Sequence, residues 1–211
     1  MNAARRKPAK RSPQAAARDA FRDSVRKAAE RVFVNKGFSS LKMTDIAAEA
    51  GVGVGTIYNY FADKQAVFEA IFEARTQEFD ALLERAVAGK SALAQLEALV
   101  RGSLEYLEEN GALVALFQER GAVGELDIER LAGKRMAQGY ERYLSLLETA
   151  VTAAVEAGEL RSDIPISALV AALSGARNGA IYAWLKGRRR ERLQTLADHV
   201  LVLFFSGARA R

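Results

Sequence analysis

Cysteine is absent from the 211-residue chain, histidine occurs once, tryptophan once and proline three times. Without cysteine there is no disulfide staple and no thiolate metal site, and a reducing cytoplasm is the natural setting. The lone histidine, His199, cannot by itself build a metal centre; in a helical pattern with Leu196, Val200 and Leu203 it reads as a packed or solvent-exposed side chain. Acidic residues are spread along helical patterns with no Glu-x-x-His pair, no nucleophile motif and no phosphate loop, so catalytic residues, metal ligands and cofactors are all assigned as none. No uninterrupted apolar run reaches the length of a membrane span. The basic start, "MNAARRKPAKRSPQAAARDA", lacks the apolar segment of an export signal. Strand-like alternation is missing too, which makes the expected fold all-α.

What the sequence does hold is apolar residues and an uneven charge. Half the residues are apolar in a 23.0 kDa chain, enough for a sizeable core. Residues 1–64 carry 13 Lys and Arg against 6 Asp and Glu, whereas residues 65–211 carry 18 against 20. A basic front joined to a near-neutral remainder points to a polyanionic partner, the alternative being a solubilising tail. Residues 1–18, rich in Ala, Pro, Arg and Lys without apolar periodicity, read as a flexible basic arm. From Asp19, the residues Phe21, Val25, Ala28, Ala29, Val32 and Phe33 make one apolar helical stripe that Gly37 ends.

The stretch "TDIAAEAGVGVGTIYNYFADK", Thr44 to Lys64, places two short helical patterns around a glycine corner. Thr44 is expected to cap the first helix, with Asp45 complementing its dipole. Gly51 supplies a left-handed end, Val52 anchors the corner, and a second helix starting near Gly53 or Val54 turns Ile57 and Phe61 inward. Gly55, Thr56, Tyr58, Asn59 and Tyr60 are left for the outer face and its margins, with Lys42 and Lys64 flanking the pair. Two short helices, a glycine turn and polar and aromatic groups facing outward suit a helix-turn-helix lying in a DNA groove, over about residues 42–61. The basic arm and the positions Arg18, Arg22, Arg26 and Lys42 add positive charge for phosphate neutralisation. The plainer alternative is that Tyr58 and Tyr60 merely cover the core.

The segment "LKMTDIAAEAGVGVGTIYNYFADKQAVFEAIF" resembles the DNA-binding domain of the TetR family of bacterial transcriptional regulators. The marks are the "KGF" after the first helix, "IAAEAGV", "GTIYNYF" and the "DK" that follows, and the likeness runs over residues 19–79. It implies a homodimer, usually a repressor, whose recognition helices enter successive major grooves of a partly palindromic double-stranded operator. Carried over by position, Thr44, Thr56, Tyr58, Asn59, Tyr60 and Lys64 fall where DNA is touched; Lys42, by its charge, and Gly55, by its low bulk near a phosphate, complete the expected DNA-binding set. Many members have serine or threonine where this chain has Gly53, and glycine caps slightly less well.

Residues 80–211 are expected to form a helical effector-binding and dimerisation domain. Helices are broken at Gly89, Gly111, "GAVGELD", Gly158 and "RSDIP", with the longest run at about residues 127–157. Residues 166–186 and 190–206 are apolar on more than one face, which marks them as the homodimer contact. Tyr106, Phe117, Tyr140, Tyr143, Asn178 and Trp184 combine aromatic bulk with polar handles and are the candidate lining for a small, largely apolar ligand. The competing account of these six is ordinary core or interface packing. The basic run "GRRRER" at residues 187–192 reads as a solvated loop rather than an anion site. Two alternatives to an effector-controlled repressor stand beside it: an architectural DNA protein without sequence preference, and a small-molecule carrier or enzyme.

Overall fold

The computed structural model describes residues 12–120, 134–187 and 191–210, the side chains of residues 117–120 excepted. Nine helices lie within those residues: α1 (Pro13–Ser40), α2 (Met43–Ala50), α3 (Val54–Tyr58), α4 (Lys64–Val87), α5 (Ala92–Glu109), α6 (Gly111–Arg120), α7 (Lys134–Glu156), α8 (Ile166–Lys186) and α9 (Leu193–Ala208). No β-strand occurs among the described residues; a single bridge joins Leu160 to Arg209. The expected all-α architecture is what forms.

The first helix starts earlier than its apolar stripe. Ser12 caps it by accepting from the Ala15 N–H at 3.2 Å, and Pro13 sits at the first turn, where its missing N–H is not needed. Residues 13–18, expected within the flexible arm, are therefore helical, and residues 1–11 of that arm lie outside the described residues. Gly37 breaks α1 at φ 76 and ψ 165, a region of backbone space open essentially to glycine alone.

The front of the molecule is α1 packed on α2 and α4, with α3 held by α2. Its core is Val25, Ala29, Phe33, Leu41, Ile46, Ile57, Phe61, Phe68 and Phe72. Phe33 meets Phe68 and Phe72 edge-on, at ring separations of 5.9 and 6.0 Å, a geometry aromatic quadrupoles favour. The rear layer packs α4 on α5 and α7, α5 on α9, and α8 on both α7 and α9. Leu96, Leu99, Leu104, Leu147, Val151, Leu173 and Leu201 fill it. α4 belongs to both layers, and α6 lies back against α1. The long run expected at residues 127–157 is α7 over its described part; residues 127–133 lie outside the described residues.

Candidate nucleic-acid interface and ligand site

The glycine corner forms as its residues dictate. Gly51 takes φ 68 and ψ 31, and its N–H donates to the carbonyls of Ala47 and Ala48. The Val52 N–H follows onto the Ala47 carbonyl at 3.0 Å, so two otherwise orphaned carbonyls at the end of α2 are satisfied. Gly53 caps α3 in extended geometry without a side-chain bond. Ile46 and Ile57, both 0 % exposed, lock α2 to α3, while Phe61 closes the end of the turn. With that inner face fixed, Tyr58 is turned outward at 53 % exposure. Gly55 and Asn59 are exposed beside it, and Thr56 is half-buried.

The flanking residues are placed less uniformly. Thr44 does not cap α2: the helix opens one residue earlier, at Met43, and Lys42 occupies the cap position without a side-chain bond. Burial of Met43 against the core draws that residue into the first turn. Thr44 and Lys42 are consequently both exposed on the rim. Tyr60 is half-buried, its ring 4.8 Å from that of Phe21, with the Arg18 guanidinium 5.9 Å from its centre. Arg22 lies likewise over Phe61, at 5.2 Å. Lys64 opens α4 and is half-buried; its ammonium donates to the Phe38 and Ser39 carbonyls at 3.4 and 3.5 Å, and sits 4.8 Å from the Phe38 ring. The segment after the Gly37 break is thus fastened to the start of α4 by the residue expected to meet a phosphate.

Arg26 is not part of a basic surface. It is 9 % exposed, forks onto Asp23 at 2.7 and 3.0 Å and reaches Glu30 at 3.3 Å. Two more cations on the front are also engaged, Arg31 with Glu49 and Lys36 with Asp45, tying α1 to α2. Lys36 holds the Asp45 carboxyl below the ordinary aspartate range, and Lys27 followed by Arg26 does the same to Asp23.

Glu30 carries the connection to the rear layer. It accepts from Arg75 of α4 through Nε at 2.8 Å and through Nη2, and Arg75 extends to Glu78 at 2.5 Å. Burial works against the Arg75 charge, and the two carboxylates outweigh it, leaving its pKa raised. The Tyr106 hydroxyl of α5 donates to the Arg75 backbone carbonyl at 2.7 Å. Nothing in the local sequence pattern pairs Glu30 with a residue 45 positions away.

Of the six candidate ligand-lining residues, four lie in one group. Tyr106 stacks near Phe79 at 5.4 Å, Phe79 near Tyr143 at 6.4 Å, and Tyr143 near Tyr140 at 6.0 Å. The Asn178 amide donates to the Tyr140 hydroxyl at 3.0 Å. Trp184 stands two turns further along α8, where its indole N–H donates to the Glu191 carbonyl at 2.8 Å and secures the approach to α9. The Phe117 side chain lies outside the described residues. The residue that sequence reasoning passed over is Arg177, buried in the middle of this group. Its Nε donates to the Ser103 hydroxyl at 2.8 Å and its Nη1 to the Asn178 carbonyl oxygen at 2.9 Å. The signal was present: it is the only charged residue between Ile166 and Leu185. Burial pushes the Tyr143 hydroxyl pKa up, with Arg177 pulling the other way, and burial raises that of Tyr106 as well. Among the described residues no group of three or more His, Cys, Asp or Glu is placed to hold a metal ion, and no helix is long and apolar enough to cross a membrane.

Comparison with known proteins finds this same region first. Residues 25–71 match the family model of the bacterial regulatory proteins, tetR family. The fatty acid metabolism regulator protein of Bacillus subtilis is 25 % identical over 183 residues, covering 85 % of this chain and 91 % of that one. Among solved structures, the transcriptional regulator FadR from Bacillus subtilis in complex with stearoyl-CoA superposes with TM-score 0.70 at 22 % identity, covering 88 % of this chain and 98 % of that one. The ketosteroid transcriptional regulator KstR2 of Mycobacterium tuberculosis gives 0.69 at 17 % identity, over 90 % and 95 % of the two chains.

Proposed function

We infer, since the chain is a TetR-family regulator of transcription, that it is a dimeric repressor holding a partly palindromic operator and released from it by a small-molecule effector. The observation that carries the DNA half is the outward presentation of Tyr58 and Asn59 on a helix whose opposite side, Ile57, is 0 % exposed. A clamped short helix with exposed hydroxyl and amide groups fits a major groove without reorganisation. In this reading Lys42, Thr44, Thr56, Tyr58 and Tyr60 contact phosphates, Gly55 lets the backbone approach, and Asn59 reads a base edge. Lys64 shares its ammonium between a phosphate and the Phe38 and Ser39 carbonyls.

The dimer half rests on α8 and α9. Leu203 is 75 % exposed and Val202 64 %, on a helix whose other side is core, and Gly175 and Gly179 on α8 have open space where a Cβ would stand. Large exposed apolar residues on one helix and small ones on its neighbour suit self-complementary packing about a two-fold axis. The effector half draws on the aromatic group around Tyr143 and on relatives named for fatty acid metabolism or crystallised with stearoyl-CoA.

The test is a polarisation titration with a duplex taken from upstream of the protein's own gene against a random duplex of equal length. The repressor reading expects strong preference for the first; equal binding assigns the protein to sequence-independent DNA coating. Tyr58→Ala is expected to weaken binding to every sequence, and Asn59→Ala to change the preferred base at one position of each half-site.

A further inference from the structure

Buried Arg26 and half-buried Arg75 are each supplied with carboxylates: Arg26 has Asp23 and Glu30, and Arg75 has Glu30 and Glu78. Arg177 is not. It is 7 % exposed, its two hydrogen-bond acceptors, Ser103 and Asn178, are neutral, and no carboxylate pairs with it among the described residues. Its remaining terminal nitrogen, Nη2, finds no acceptor there. The guanidinium lies 4.8 Å from the Tyr143 ring centre, and a ring face softens a buried cation without neutralising it. A second observation sits beside the first. The hydroxyl of Tyr143, a residue 0 % exposed, is buried beside the Ser103 hydroxyl without completing a hydrogen bond of good geometry. A buried charge with no counter-charge and a buried hydroxyl short of a well-formed hydrogen bond are each costly, and here they share one group of side chains.

We propose that Arg177, with the Tyr143 hydroxyl and Asn178, is the docking point for a carboxylate at the end of an otherwise apolar effector. The donor set fits that chemistry: a planar guanidinium presents parallel N–H groups to a carboxylate, and a phenol O–H supplies a further donor. The adjoining rings of Phe79, Tyr106 and Tyr140 supply apolar walls for a hydrocarbon or aromatic body. Tyr140 and Asn178, half-buried like Phe79 and Tyr106, are joined by their 3.0 Å hydrogen bond, and parting them admits the acid. The proposal rests on the effector-controlled reading above and narrows it from an apolar molecule to an acid.

The full-length protein is tested with straight-chain sodium carboxylates from acetate to hexadecanoate and with the matching primary alcohols. Melting is followed by tryptophan fluorescence and binding by calorimetry, for the natural chain, Arg177→Met and Arg177→Lys. At least one acid is expected to bind the natural chain roughly tenfold or more tightly than its alcohol. Arg177→Met abolishes that preference while leaving the alcohol unchanged, and Arg177→Lys keeps part of it. Free of ligand, Arg177→Met melts no lower than the natural chain, because an apolar side chain of similar length replaces an uncompensated charge. Failure of every acid to bind, or equal binding of acid and alcohol, overturns the assignment. So does a free Arg177→Met protein that melts well below the natural chain, which makes Arg177 a structural clamp. Operator affinity of the ligand-free protein separates the two readings: its absence alongside intact acid binding counts against the repressor, and intact operator binding without acid preference counts against this site alone.

Discussion

Replacing Glu30 by alanine is expected to loosen the tie between the front layer and the rear layer. The Glu30 side chain is 12 % exposed and meets Arg26, whose side chain is 10 % exposed, and Arg75, at 21 %. Its removal leaves both guanidinium groups short of their shared inner carboxylate. Each retains an outer one, Asp23 at 44 % side-chain exposure and Glu78 at 48 %, and solvent screens those pairs. Breaking a buried pair from one side typically costs about 3–5 kcal/mol, and the surviving outer carboxylates place Glu30→Ala near about 3 kcal/mol. Urea unfolding, followed by circular dichroism, measures the loss. In Glu30→Ala/Arg75→Met one orphaned charge is replaced by an apolar chain, so the double variant is expected to be more stable than Glu30→Ala alone, with a coupling of about 1–2 kcal/mol in the cycle. A cost for Glu30→Ala below about 0.5 kcal/mol, the scale of an exposed pair, refutes the reasoning. Strict additivity of the two substitutions refutes it equally.

Other consequences concern the corner, the pH response and the dimer face. Gly51→Val places a β-branched side chain at φ 68 and is expected to cost about 1–2 kcal/mol in the same unfolding measurement. Gly53→Ser meets no crowding, with Thr56 Oγ1 4.0 Å from the new Cβ, and is expected to add a few tenths of a kcal/mol by capping α3, read as a small rise in the urea midpoint. Asp23 and Asp45 titrate below the usual aspartate value in the folded protein. Their contribution is fully present above that value and is lost as pH falls through the lowered ones, so the urea midpoint is expected to drop below about pH 4 and less steeply in Asp45→Asn. Leu203→Asp charges the apolar face of α9 and is expected to convert the dimer to monomer in sedimentation velocity, with operator affinity falling alongside.

The helix-turn-helix was legible in the sequence because its determinants are local. Gly51 must be glycine for the corner, and the spacing of Ile57 and Phe61 fixes which side of the second helix faces inward. Helix starts were less legible: apolar periodicity says nothing of Ser12 and Pro13, which extend α1 through capping and not through burial. The free-cation reading of Arg26 failed for a related reason. Asp23 and Glu30 at helical spacing were visible, but the burial of the pair depends on Arg75, brought in by tertiary packing of α4 on α1. Tyr60 shows the same limit, since only the approach of Phe21 and Arg18 decides that its ring lies at the margin. In the rear layer, aromatic residues on apolar helices marked side chains that do come together around Tyr140, Tyr143 and Asn178, without distinguishing Trp184, whose indole N–H is bonded to the Glu191 carbonyl. The attention given to aromatic bulk also hid Arg177, although a lone charge in a long apolar helix is itself a sign of a buried polar function.

In the proposed dimer, two copies of α3, each clamped by α2 and presenting Tyr58 and Asn59, read one duplex together. Selection of bound sequences from a pool of random duplexes, by the full-length protein at physiological salt, examines it most directly. The expected outcome is an enriched inverted repeat whose half-sites are separated by about one helical turn or a little more, with affinity at least about a thousandfold above random duplex. A pool that stays random after repeated rounds, or enrichment of a single unrepeated half-site, contradicts it.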